Sequence, residues 1–171
     1  SIRVLSHVSG NPASFPAQSI KCIYNDAYGN IWAGSMRDGL IQVSSSQMKT
    51  YSESYFGSKA GMSNTTVLCL HQDPASRFIW IGTDGDGINR FDPVTNEFTH
   101  YASTAHSKVV SITDFSKDEL ALSIYSEGIL IFDKNTGRIR PLDIRDDELT
   151  YKLRYTSRSI NLCSEPGGKI L

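Results

Sequence analysis

The chain lacks any apolar run near the roughly 20 residues that a membrane-crossing helix needs, so no membrane segment is expected within it. It also lacks an apolar core behind basic residues at its start, which reads SIRVLSHVSG. No signal peptide is therefore expected, and the chain reads as a piece of a longer protein. Cysteine is scarce: three residues, with no CxxC pair, make neither a metal knuckle nor a disulfide framework. Excess basic charge is missing too. A net charge of −1 argues against a nucleic-acid footprint, which needs clustered Lys and Arg. The one local basic stripe, Arg138, Arg140 and Arg145, is surrounded by Asp143, Asp146, Asp147 and Glu148 and reads as solvated surface. His7, His71, His100 and His106 are scattered, with no HxxxH spacing and no GxSxG elbow. No catalytic residue, metal ligand or cofactor is assigned on these grounds.

What the chain does have is repetition. Asn64 to Tyr101 contains four strand-like runs, VLCLHQ, FIWIGT, INRF and EFTHY, separated by DPAS, DGDG and DPVTN. Gly, Asp and Asn tolerate the left-handed backbone of a tight reversal, and Pro fixes one turn angle. Ser19 to Tyr51 repeats the unit: Ile31-Trp32-Ala33-Gly34 matches Ile79-Trp80-Ile81-Gly82, and Trp32 to Trp80 is 48 residues. A weaker third copy runs through VVSITDF and LALSIYSEGILIFDKNTGRI, with Ala121 at the Trp position and Ser123 at the Gly position. A fourth copy begins near Ser157. Four short antiparallel strands in about 40 residues is the size of one propeller blade.

The fold expected is all-β: a β-propeller of four-stranded antiparallel blades, here partial, with about three full blades and parts of a fourth. It forms a single domain over residues 1–171. The blades fall at 18–52, 64–101 and 108–142, with an incomplete blade at 157–171 and residues 1–7 as a stray outer strand. Both faces of FIWIGT are apolar, which fits a sheet held between two neighbours. The Trp side chains then fill the space between blades. Gly34 and Gly82 leave room for a close approach from the next blade. Cys22 and Cys69 occupy equivalent positions in the first strands and read as small buried hydrophobes.

Blade geometry also sorts the loops. The turns between second and third strands surround the channel mouth, so candidate ligand contacts are Arg37, Asp38, Asp84, Asp86 and Glu127, with Tyr125 to stack on a sugar ring. Asp84-Gly-Asp86-Gly opens like a calcium loop. The fifth and sixth positions hold Ile88 and Asn89 instead of a ligand and Gly, so it reads as a turn. Asp26, Gly29 and Trp32 resemble the Asp box of sialidase propellers, with one residue too many between Asp and Gly.

One combination is more specific than its parts. A strand ending in Asp, a short turn, I-W-[IA]-G, a turn ending in Gly and a strand ending R-F-D-P-x-T resembles the two-component regulator propeller repeat. Asp73 to Phe98 matches nearly throughout. Asp26 to Val43 matches until Ser44 replaces the Asp, and Leu120 to Ile139 keeps GILIFDKNTG without the Trp. The resemblance implies the extracytoplasmic sensor region of a Bacteroidetes hybrid two-component histidine kinase. Family members form seven-bladed propellers, often in tandem, followed by an immunoglobulin-like domain and a membrane helix. It further implies a periplasmic, non-catalytic module responding to an oligosaccharide. Two alternatives stay open: a glycan-active propeller enzyme of the sialidase or lyase type, and a protein-docking scaffold. Three full blades do not make a seven-bladed ring. Either this is a fragment, whose uncovered blade face favours a homodimer, or the terminal segments close a small ring.

Overall fold

The computed structural model describes residues 4–11, 13–45, 47–55, 57–143 and 161–162. Among them are three four-stranded antiparallel sheets. The first holds β1 (Ile20–Asn25), β2 (Ile31–Ser35), β3 (Leu40–Val43) and β4 (Met48–Tyr51), hydrogen-bonded in chain order. The second holds β5 (Val67–Gln72), β6 (Ile79–Thr83), β7 (Ile88–Asp92) and β8 (Glu97–His100). The third holds β9 (Val109–Asp114), β10 (Glu119–Ile124), β11 (Gly128–Asp133) and β12 (Ile139–Pro141). A single 3₁₀ turn, Ala102–Thr104, leads into the third. The expected partial propeller is therefore present, and each sheet is one blade.

The repeat extends to irregularities. Pairing of β1 with β2 slips between Ile20 and Cys22, and pairing of β5 with β6 slips at the equivalent place, between Val67 and Cys69. A β-bulge of this kind adds one residue and sharpens local twist. The third turn of each blade shows why its residues recur. Asp92 Oδ1 accepts from the backbone N–H of Val94 (2.9 Å), and Asn96 closes the turn in the left-handed region. Asp133 does the same for Asn135 (2.9 Å) and Thr136 (2.7 Å), with Gly137 left-handed. In the first blade Ser44 substitutes its hydroxyl, bonded to Gln47. A short oxygen-bearing side chain is what the turn requires.

The sheets face one another through aromatic seams. Trp32 and Tyr51 of the first blade meet Phe91 of the second edge-on, at 5.6 and 4.7 Å between ring centres. Trp80 and Tyr101 meet Phe132 of the third at 5.6 and 4.9 Å, again edge-on. Such edge-to-face pairs add about 0.5–1.5 kcal/mol each beyond burial. Val67, Ile79, Ile81 and Phe98 complete the first seam; Val109, Leu120 and Leu122 complete the second. The indoles are the inter-blade filler that the sequence indicates. Gly34 is one point of close approach. A Cβ there would lie 2.5 Å from both Cys22 Sγ and Val67 Cγ1, so the next blade meets it with an aliphatic side chain.

Residues 4–7 form no strand, unlike the outer strand expected at 1–7. The segment instead turns back on the chain: Phe15 N–H donates to Ser6 O (3.1 Å), and His7 Nδ1 lies 3.0 Å from Phe15 O. Residues 1–3 lie outside the described residues, as do 157–160 and 163–171 of the incomplete fourth blade. Leu162 N–H donates to Ser111 Oγ at 3.0 Å. Ser111 occupies the Cys69 position, and Cys69 Sγ contacts Val109 O at 3.6 Å. The 161–162 peptide thus lies beside β9 as the 109–110 peptide lies beside β5.

Candidate functional site

The turns joining second to third strands close through their Gly residues. Thr83 N–H and Oγ1 both donate to Gly87 O, at 3.1 and 2.7 Å. Gly87 sits at φ +73°, and a Cβ there would run into the Thr104 carbonyl. Each such turn is pressed against a segment that enters a blade, its own or the next, and this decides what its side chains can do.

Four of the six candidate residues are engaged in this way. Asp84 Oδ1 pairs with Lys108 Nζ at 2.6 Å. Asp86 Oδ2 accepts from Asn64 Nδ2 at 2.7 Å. Glu127 Oε1 accepts from Ser107 Oγ at 3.4 Å. Tyr125 presents its ring to Lys108 Nζ, 5.3 Å from the ring centre. The Asp-Gly-Asp-Gly turn is thus held by a lysine and an amide, and the described residues include no group of three metal-binding side chains.

Arg37 and Asp38 behave differently. Their charged groups make no hydrogen bond or ion pair among the described residues. Both line a cavity of about 450 Å³ with His7, Pro16, Gln18, Ser19 and Met36. That volume falls in the range of about 300–1,000 Å³ typical of small-molecule sites. The guanidinium, carboxylate, amide, hydroxyl and imidazole groups are polar; Pro16 and Met36 supply apolar surface. His7, Gln18 and Ser19 belong to no motif in the sequence. Their signal lay in position: Gln18 and Ser19 immediately precede β1, as Thr66 and Lys108 immediately precede β5 and β9 and touch the turn of the blade before.

The opposite face, carrying the first and third turns, holds a second polar cluster. In the first blade Asp26 Oδ2 accepts from Trp32 Nε1 at 2.8 Å, and Oδ1 accepts from the backbone N–H of Tyr28 and Asn30. Partial burial pushes the Asp26 carboxyl up. The donors from Trp32, Asn30 and Tyr28 outweigh it and hold the carboxyl below its ordinary value. In the second blade the turn is one residue longer: Asp73 to Trp80 spans seven positions, Asp26 to Trp32 six. Trp80 Nε1 is buried with no hydrogen-bond partner. Asp73 Oδ2 instead pairs with Lys134 Nζ of the third blade at 3.2 Å, and Lys134 also reaches Asp114 Oδ1 at 3.2 Å. His71 Nε2 lies 3.1 Å from Asp114 Oδ2, close enough for an ion pair but too misaligned for a hydrogen bond. Lys134 carried no sequence signal, because its partners lie on other strands.

Cys22 and Cys69 are partly buried and pack against the cores of the first and second seams. Burial pushes the Cys22 thiol up to about 11 and the Cys69 thiol further still, with the nearby Cys22 adding to the second shift.

Comparison with known proteins gives the fold a context. The two-component regulator propeller family matches residues 14–37, which run from the approach to β1 through β2 into the following turn. No curated protein matches the chain. Among solved structures, the extracellular domain of the putative hybrid two component system BT3049 from B. thetaiotaomicron is similar, at 17% identity and TM-score 0.70. The match covers 81% of this chain and 20% of that one. The corresponding domain of BT4673 from the same organism aligns at 19% identity and TM-score 0.70, over 93% of this chain and 21% of that one. PorZ, a surface component of the type-IX secretion system of Porphyromonas gingivalis, aligns at 13% identity and TM-score 0.62, over 88% and 24%. The chain spans between a fifth and a quarter of the length of these structures. At such identities the likeness establishes the propeller fold.

Proposed function

We propose that this chain, a partial propeller carrying a two-component regulator propeller repeat, is a non-catalytic, ligand-sensing segment of the periplasmic part of a two-component receptor. Its ligand is an oligosaccharide. The observation that carries this reading is a coincidence of position. The repeat matched at 14–37 includes Pro16, Gln18, Ser19, Met36 and Arg37, five of the seven residues lining the cavity at the channel-mouth face. A sugar ring has polar edges and apolar faces. The charges of Arg37 and Asp38, unpaired among the described residues, suit the edges, and Met36 and Pro16 suit a face.

Calorimetric titration against a panel of neutral and acidic oligosaccharides tests the reading. One class is expected to bind, with affinity falling at least tenfold in Arg37→Ala and in Asp38→Ala. Products from any glycan, lost on changing a single carboxylate, would replace the sensor reading with an enzymatic one. Binding unaffected by both substitutions would remove the cavity from it.

A further inference from the structure

The two seams share aromatic packing but differ in their polar contacts. Across the first, neutral contacts join the blades: Tyr51 Oη and Asn96 Oδ1 at 2.7 Å, Tyr24 Oη and Gln72 Oε1 at 2.9 Å, and the Thr66 hydroxyl with Met36 O. Lys49 Nζ adds one exposed bond to Asn96 Oδ1 at 2.7 Å. Among the described residues, no ion pair joins the first sheet to the second. Across the second seam the contacts are ionic at both ends. Lys108 reaches Asp84 at the channel-mouth face, and Lys134 reaches Asp73 at the other.

These two pairs are not equivalent. The Lys108 and Asp84 side chains are 40% and 35% exposed, so water and salt weaken their attraction. The Lys134 and Asp73 side chains are 10% and 8% exposed. Lys134 also donates to Lys117 O at 3.1 Å, which fixes its head from inside the third blade. Two carboxylates, Asp73 and Asp114, converge on this one ammonium, with His71 beside Asp114. Without Lys134 they would face one another in a largely buried seam. Removing one partner of a buried ionic group is far more disruptive than removing the whole group.

We propose that the second seam is an electrostatic joint locked by Lys134, which lets the third blade move away as a unit while the first two stay together. The lock exists because the longer turn after Asp73 takes its carboxylate away from the indole and offers it across the seam. This inference does not depend on the ligand proposed above.

Amide hydrogen exchange on the whole chain, at one fixed pH, tests it. In Lys134→Met, protection across β9–β12 is expected to fall at least tenfold, while protection across β1–β4 changes less than twofold. The triple variant Lys134→Met, Asp73→Asn, Asp114→Asn removes the charges together and is expected to recover protection to within about threefold of the parent. Lys108→Met is expected to change β9–β12 less than threefold. Uniform loss over all three blades, no loss in Lys134→Met, or an equal effect of Lys108→Met would overturn the proposal. If neither Lys134 variant folds, Lys134 supports the whole domain instead of a joint, and the proposal falls as well.

Discussion

Trp32 and Trp80 occupy the same place in successive blades, each meeting a Phe edge-on at 5.6 Å and each almost fully buried. They differ in one atom's surroundings. Trp32 Nε1 donates to the Asp26 carboxylate, whereas Trp80 Nε1 is unpartnered. Replacing each by Phe removes a similar volume of ring, so packing losses largely cancel in the comparison. What remains is polar. Trp32→Phe forfeits a hydrogen bond to a charged group, worth about 1.5–3 kcal/mol. Trp80→Phe forfeits none and relieves a buried donor that is itself unfavourable by about 1–3 kcal/mol. Trp32→Phe is therefore expected to be the more destabilising by about 2.5 kcal/mol or more, read as a difference in urea midpoint at unchanged slope. The gap should also depend on pH. The Asp26 carboxyl is held low in the folded state, so its contribution is fully present above the ordinary carboxylate value, about 3.9, and is lost as pH falls through the folded value. The difference between the variants is expected to shrink below about pH 4. Equal costs at neutral pH, or a larger cost for Trp80→Phe, would refute the assignment of distinct roles to the two indoles.

Two other outcomes follow from single contacts. A Cβ at Gly82 would lie 2.7 Å from Val109 O and against Cys69 Sγ, both in tightly packed surroundings; Gly82→Ala should destabilise by about 1–3 kcal/mol, as overpacking of a core usually does, and a neutral result in thermal melts would contradict the close seam. Arg77 Nε and Nη2 each donate to Asp92 at 2.8 Å, and chiefly this contact holds the Asp92 carboxyl at about 2. In Arg77→Ala, carbon-detected NMR titration should show Asp92 moving up toward the ordinary carboxylate range; an unchanged titration would assign the depression to the Val94 and Thr95 N–H donors instead.

The strands were legible because turn chemistry and alternation agree with the fold. Asp92, Asn96 and Gly87 each stand where a turn demands that residue type, and Ile79 to Gly82 is apolar on both sides because both sides are covered. Residues 1–7 read as a strand from Ile2, Val4 and Leu5, yet a strand needs a partner edge. The described structure gives residues 4–7 only Phe15 to bond with. The candidate site was legible only in its outline. Face geometry correctly separates the two rims of a blade. It does not show that Asp84, Asp86 and Glu127 meet Lys108, Asn64 and Ser107, because those partners belong to the segments entering a strand, at spacings set by tertiary packing. Arg37 and Asp38 have no such partner among the described residues, because Thr66 stands before β5 where Lys108 stands before β9.

One residue of turn length accounts for much of what distinguishes the two seams. Repeat proteins gain stability from each unit and from each nearest-neighbour interface separately. A change confined to one interface can therefore alter its chemistry without disturbing the rest. In the first blade the six-residue step from Asp26 to Trp32 keeps carboxylate and indole together, and the seam beyond them is neutral and aromatic. In the second, the extra residue separates them, and a lysine from the third blade occupies the carboxylate. In the third blade Phe115 follows β9 where Asp26 and Asp73 follow β1 and β5, and Ala121 stands at the indole position. Neither half of the pair is kept. The Asp and the Trp persist or vanish jointly, which is expected if the acid is retained at this corner chiefly to satisfy a buried N–H. The second blade, where both remain but no longer meet, is where a new contact had both a free carboxylate and a reason to form.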